Sequence, residues 1–153
     1  MARIEPFIKI ISNYHNIMLD SNAIIYFLDG TPVFFEFMQG FFELLEQGRL
    51  KATISVISEA ELLVKPYREN NSSAIEAVNF FLEEFPNIKI CPVSREISRQ
   101  AAKIRAKSDI RLPDAIILAT AVHNNCDLML GNDLKLMYKA KPYLPVIILN
   151  EYV

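Results

Sequence analysis

The chain has 153 residues, 52% of them apolar, and its 16 Lys and Arg stand against 18 Asp and Glu for a net charge of −2. That composition excludes a disordered chain and a basic protein that coats nucleic acid by bulk charge; one compact domain over residues 1–153 is expected, with a core large enough to need no disulfide or structural metal. Cys91 and Cys126 stand alone and His15 and His123 lie far apart in sequence, so a zinc motif or a Ser-His-Asp triad is not indicated and a reducing cytosol is the expected home.

Met1 to Lys9 carries Arg3, Glu5 and Lys9 and lacks the apolar core of a signal peptide. No apolar run approaches the roughly 20 residues of a membrane span, so a soluble, cytoplasmic protein without membrane contact is expected. Ile4, Phe7, Ile8 and Ile11 recur at helical spacing and predict a docked N-terminal helix within residues 1–15. Asn16 to Leu19 is a short apolar run that stops at Asp20-Ser21-Asn22, as a buried strand stops at a loop. Thr31-Pro32 has the form of an N-cap followed by proline at the first helical position, predicting a helix to about Gln47 that Gly48 ends. Leu50 to Ile54 is a second strand. A helix from Ser55 to about Lys65 is closed by Pro66, and another from about Ser73 to Phe85 by Pro86. Ile88 to Val93 is a third strand, Ser94 caps a helix to about Lys107, and Leu112-Pro113 opens one to about Asn124. Leu128 to Leu130 is a fourth strand, ending at Gly131-Asn132-Asp133, and Val146 to Leu149 a fifth. Short strands without polar alternation, interleaved with helices, predict a three-layer α/β/α sandwich around a mostly parallel five-stranded sheet.

Ligands of such sheets bind beyond the carboxyl ends of the strands, where strand order reverses. Asp20 follows the first strand directly and Asp133 follows the fourth at three residues. Glu59 and Glu61 lie in the opening turns of the helix after the second strand, and Asp114 in the first turn after Pro113. Each has an ordinary alternative role: Asp20 and Asp133 as helix caps, Asp114 as a first-turn partner of the helix dipole, Glu61 in a capping box with Ser58. Their joint delivery to one rim is harder to explain structurally. Asp114 also shares its helix with the apolar Ile117, Leu118 and Ala121, and a carboxylate on a protein-facing stripe needs compensation. Several carboxylates without imidazole or thiolate describe a hard-cation site, for Mg²⁺ or Mn²⁺, suited to hydrolysis at phosphorus. On a helical wheel Val56, Ile57, Ala60, Leu63 and Val64 form the apolar face, and Glu59 and Glu61 flank it equally, so spacing leaves the choice between them open.

Leu19-Asp20-Ser21-Asn22, Ser55 through Glu61-Leu62, Leu112-Pro113-Asp114-Ala115 and Gly131-Asn132-Asp133 together resemble the ordered motifs of PIN-domain nucleases, over about Asn16 to Leu149. The resemblance implies Asp20, Glu61, Asp114 and Asp133 as metal ligands, with Asn22 and Asn132 as polar support. It also implies metal-dependent endonucleolytic cleavage of RNA, frequently by the toxin of a toxin-antitoxin pair. The fourth motif commonly carries Thr or Ser where this chain has Gly131, which removes a hydroxyl from the expected metal site.

Arg95, Arg99, Lys103 and Lys107 recur every four residues, with Arg105 and Arg111 nearby, and Lys65 and Arg68 follow the Glu61 helix; these are the candidate phosphate contacts, although any surface helix needs a charged face. From Phe34 to Leu45 apolar residues exceed what one core-facing stripe requires. Phe34, Phe37, Met38, Phe41 and Leu45 are the expected core, and the surplus predicts an interface, with a second copy in a homodimer or with an antitoxin. Three other functions compete. A haloacid-dehalogenase-type phosphatase would want an acidic residue where Asn22 stands, a receiver domain would want its phosphoacceptor after a central third strand, and a non-catalytic PIN-like module that binds RNA or protein is mildly favoured by Gly131 but opposed by the intact four-carboxylate set.

Overall fold

A computed structural model describes residues 3–153. The strands are β1 (Asn16–Leu19), β2 (Lys51–Ser55), β3 (Ile88–Cys91), β4 (Leu128–Gly131) and β5 (Val146–Ile148). They form one sheet in the order β3-β2-β1-β4-β5, with every neighbouring pair parallel. β1 is central: Ile17 registers with Ala52 of β2 on one side and Leu128 of β4 on the other. The chain builds outward from β1 to β3 and then crosses to β4, so strand order reverses between β1 and β4.

The sheet is buried on both faces because successive side chains point to opposite sides and both sides are apolar. Ile17, Leu19, Ile54, Leu128 and Leu130 join the core under α1 (Ile4–Ile11), α2 (Ser21–Asp29), α3 (Phe34–Glu46), α4 (Val56–Arg68) and α5 (Ser72–Glu84). Met18, Met129 and Ile148 join a second core under α6 (Arg95–Ala106), α7 (Leu112–His123) and α8 (Leu134–Ala140). The expected three-layer sandwich is therefore present, and the chain closes on a short 3₁₀ turn, Leu149–Tyr152. α1 seats Phe7 and Ile11, both fully buried, and Phe7 meets Phe37 of α3 edge-on at 5.2 Å; of the expected docked segment 1–15, residues 1 and 2 lie outside the described residues.

Several local expectations are corrected. Asp20-Ser21-Asn22 opens α2 rather than a loop: Asp20 is its N-cap, and Gly30, at φ 65°, is its left-handed stop. Thr31 does not cap the next helix, which starts at Phe34 after Val33 at φ 72°. α4 continues through Pro66 to Arg68, and α8, capped by Asp133, was not expected. The buried line of α4 is Ser58 and Leu62, whereas Val64 is exposed and Ala60 faces solvent. The aromatic surplus of α3 is also absorbed internally. Phe42 and Leu44 are buried and Phe34 only partly so, and Phe42 packs on Phe27, Phe81 and Phe85 of α2, α5 and the turn after it. α3 therefore presents no spare aromatic face for a partner.

Candidate active site

The reversal of strand order places the ends of β1 and β4 side by side, and the Asp20 amide donates to the Leu130 carbonyl at 3.0 Å. Asp20 leaves β1 as a buried residue, only 5% exposed. Its Oδ1 accepts from the Ser21 amide at 2.8 Å, completing the cap, whereas its Oδ2 is buried without any partner. Burial is the main cause that pushes the Asp20 carboxyl from 3.8 up to about 7; the Ser21 amide opposes it, and the charges of Asp114, Asp133 and Glu61 add to it. All four carboxylates thus share one electrostatic neighbourhood, although they come from β1, α4, α7 and the β4–α8 turn.

Ser21 sets the position of Glu61. Its hydroxyl donates to Glu61 Oε1 at 2.7 Å and lies 2.9 Å from Ser58 Oγ. Ser58 is spent on this contact, so the capping box does not form; Ser55 caps α4 instead, accepting from the Ile57 amide. Glu61 is thereby drawn to the rim beside Asp20, while Glu59, one wheel position away on the other side, joins no such contact. Asp114 is 6% exposed at the start of α7, a helix apolar nearly all round and buried accordingly. Its compensation comes from Arg111, which donates through Nε to Oδ2 at 3.2 Å and through Nη2 to Oδ1 at 3.3 Å; Nη2 also lies 3.9 Å from Glu61 Oε2. Asp133 caps α8 through the Leu136 amide.

The cap roles and the shared cluster coexist, since a cap occupies one carboxylate oxygen and leaves the other. Asn132 is committed elsewhere: it donates to the Tyr26 hydroxyl at 3.0 Å and accepts from the Asn150 amide at 2.8 Å, tying the rim to α2 and the C-terminal turn. Asn22 is half-buried on the first turn of α2. Gly131 closes the site sterically, because a Cβ there would lie 2.6 Å from Asp20 Cβ and 3.1 Å from Oδ2. The missing hydroxyl is thus replaced by a close approach of Asp20 itself.

Among the described residues no three acidic, imidazole or thiol side chains converge into a ready-made metal cage. The donor chemistry nevertheless fits a hard divalent cation: carboxylate oxygens only, one of them buried and unpartnered, with surplus negative charge. Sequence reasoning missed Ser21 and Ser58 as the link that selects Glu61, and grouped Arg111 with surface cations; its spacing of three from Asp114 was the available signal. Lys65 and Arg68 are exposed on the later turns of α4, and Lys65 shares a groove with Glu61. Arg95, Arg99, Lys103 and Lys107 are exposed along α6, which starts at the carboxyl rim and runs back across the sheet. At 1.5 Å per residue Lys103 lies about 12 Å further from that rim than Arg95.

This parallel sheet, with acidic residues gathered where its order reverses, defines an α/β protein with an acidic rim at the carboxyl ends of its strands. The PIN domain model matches residues 17–141, and the chain belongs to the PIN-domain family, a family of nucleases. Similar solved structures are VapBC2 from Rickettsia felis bound to a DNA fragment from their promoter, with TM-score 0.70 and 21% identity over 87% of this chain and 98% of that one; FitAcB from Neisseria gonorrhoeae, with 0.65 and 22% over 87% and 97%; and a toxin-antitoxin complex from Klebsiella pneumoniae, with 0.64 and 22% over 87% and 97%. At such identities the likeness shows the fold. A comparison with curated proteins found no match. No helix among the described residues is long and apolar enough to cross a membrane.

Proposed function

We propose that the protein is a metal-dependent endoribonuclease in which Asp20, Glu61, Asp114 and Asp133 hold Mg²⁺ or Mn²⁺ and an RNA phosphodiester is hydrolysed. The observation that carries this reading is the Asp20 Oδ2 atom, buried and without a partner, among three further carboxylates at the strand-order reversal. A bound divalent cation would supply an ionised water and stabilise charge on the phosphoryl oxygens. The chain's own residues do the rest. Ser21 fixes Glu61, the α2 and α8 caps fix Asp20 and Asp133, and the buried start of α7 fixes Asp114, so the four carboxylates are held at one rim from which a cation would gather them. Arg95, Arg99, Lys65 and Arg68 are the phosphate contacts this reading favours; Lys103 is a more distant one.

The family and the toxin-antitoxin complexes among the similar structures support a toxin role with an antitoxin partner. A groove of about 230 Å³ between α2 and the α4–α5 pair, lined by Ile25, Leu28, Leu62, Pro66 and Val78 with Glu61 at its edge, offers that partner an apolar seat beside the site. A homodimer is a further expectation of this reading, carried by a surface other than α3. The test is cleavage of a mixed RNA pool with Mn²⁺, comparing wild type, Asp114→Asn and wild type in EDTA. Cutting lost in both controls is the expected result; no cutting by wild type, together with retained RNA binding, would favour a non-catalytic binding module.

A further inference from the structure

Arg111 stands where a cation is wanted, in a place that its own helix disfavours. It is the N-cap residue of α7, and the N-terminal end of a helix carries the positive pole of the peptide dipoles. Nor does its side chain serve as a cap, since it makes no hydrogen bond to the α7 backbone amides. Instead the guanidinium turns into the cluster, gripping both oxygens of Asp114 and approaching Glu61. Among the described residues no other Lys or Arg forms an ion pair with any of the four carboxylates. The bidentate grip engages both Asp114 oxygens, the same atoms a divalent cation needs. Its side chain is 65% exposed, so it can leave toward solvent without opening the core.

We propose that Arg111 is an exchangeable counter-ion of this site: it neutralises Asp114 and Glu61 in the metal-free protein and is displaced when a divalent cation binds, so that it sets the metal concentration at which the site fills. The proposal rests on the metal-site reading above. A guanidinium stays protonated across the physiological range, so the exchange is a competition of charge against charge, one unit against two, and not a pH effect. Arg111 is thus a positioning residue: it holds Asp114 and Glu61 against its guanidinium until a cation takes its place. The neighbouring Lys135 supplies a control, because it pairs with Asp109 at 3.3 Å outside the cluster and its loss changes net charge by the same amount.

Mn²⁺ binding is measured by titration calorimetry on the full chain, with the Mn²⁺-induced rise in melting temperature as a second readout. Wild type, Arg111→Gln, Arg111→Lys and Lys135→Gln are compared. Loss of one bidentate charged contact predicts an Mn²⁺ Kd about five- to tenfold lower for Arg111→Gln, with a larger melting shift. Arg111→Lys, which keeps the charge and loses the fork, falls between, and Lys135→Gln matches wild type. Equal or weaker Mn²⁺ binding by Arg111→Gln, where wild type does bind, overturns the counter-ion and leaves the metal site standing. The same tightening in Lys135→Gln overturns it as well, since bulk charge would then suffice. No Mn²⁺ binding by any of the four overturns the metal site along with it.

Discussion

Replacing Asp20 by Asn tests the site without relying on turnover. In metal-free buffer the Asp20 carboxyl binds its proton more tightly in the folded chain, at about 7, than in the unfolded chain, at 3.8. For this group stability is greatest below pH 4 and is lost as the pH rises through 7, since the unfolded state ionises freely and the folded state does so against burial. At about 1.4 kcal/mol per pKa unit the loss reaches about 4 kcal/mol by pH 8. Asparagine keeps the shape and the acceptor for the Ser21 amide, but sets an amide where Oδ2 has no partner, which costs about 1–3 kcal/mol. Asp20→Asn is therefore expected to be more stable than wild type at pH 8 by about 2 kcal/mol, a rise of roughly 4–8 °C in melting temperature, and less stable at pH 4. Calorimetric melts in EDTA from pH 4 to 9 measure both curves. Parallel curves for the two proteins would refute the reasoning, because they would mean that Asp20 is solvated in the folded state. Adding Mn²⁺ at pH 8 should raise the wild-type melt and leave Asp20→Asn nearly unmoved.

Gly131→Ser restores the common residue type but sets a Cβ 2.6 Å from Asp20 Cβ, so a loss of about 1–3 kcal/mol in urea unfolding is expected; a neutral result would mean that Asp20 and Met137 yield freely. Ser21→Ala removes the tether of Glu61 and is expected to cost about 1–2 kcal/mol and to slow RNA cleavage about tenfold or more, with single-turnover kinetics as the check. Val33→Gly relieves a β-branched residue at φ 72° and ψ −59° and should stabilise the fold by about 1 kcal/mol in the same urea assay, after glycine's entropy is counted. Cys126, its thiol pushed up to about 11 chiefly by burial, should resist alkylation in the native protein and react on unfolding.

Short apolar strands and helices with a clear start signal were legible in the sequence: all five strands and the helices after Ser94 and Leu112 fall within a few residues of their expected ends. α2 was hidden because its cap, Asp20-Ser21-Asn22, has the composition of a turn, and α8 because seven residues carry too little periodicity. Pro66 misled for a different reason. In the final turn of α4 its missing amide and its ring disturb few remaining hydrogen bonds, and the helix runs on to Arg68. The shared rim of Asp20 and Asp133 was legible from strand ends, since topology places whatever follows a parallel strand, whereas Glu61 and Asp114 lie on helices. The choice of Glu61 through Ser21, the turn of Arg111 into the cluster and the crowding of Gly131 were not, because each depends on distances between segments far apart in the chain.

The central position of β1 also has a bearing on synthesis. β1 leaves the ribosome more than 100 residues before its second neighbour, β4, which begins only at Leu128, so one edge of β1 and the Leu130 carbonyl that receives the Asp20 amide are wanting until then. A chain cut short before that point carries Asp20, Glu61 and Asp114 with no wall against which to converge. The order of translation thus postpones the gathering of the carboxylates until β4 and Asp133 have been made.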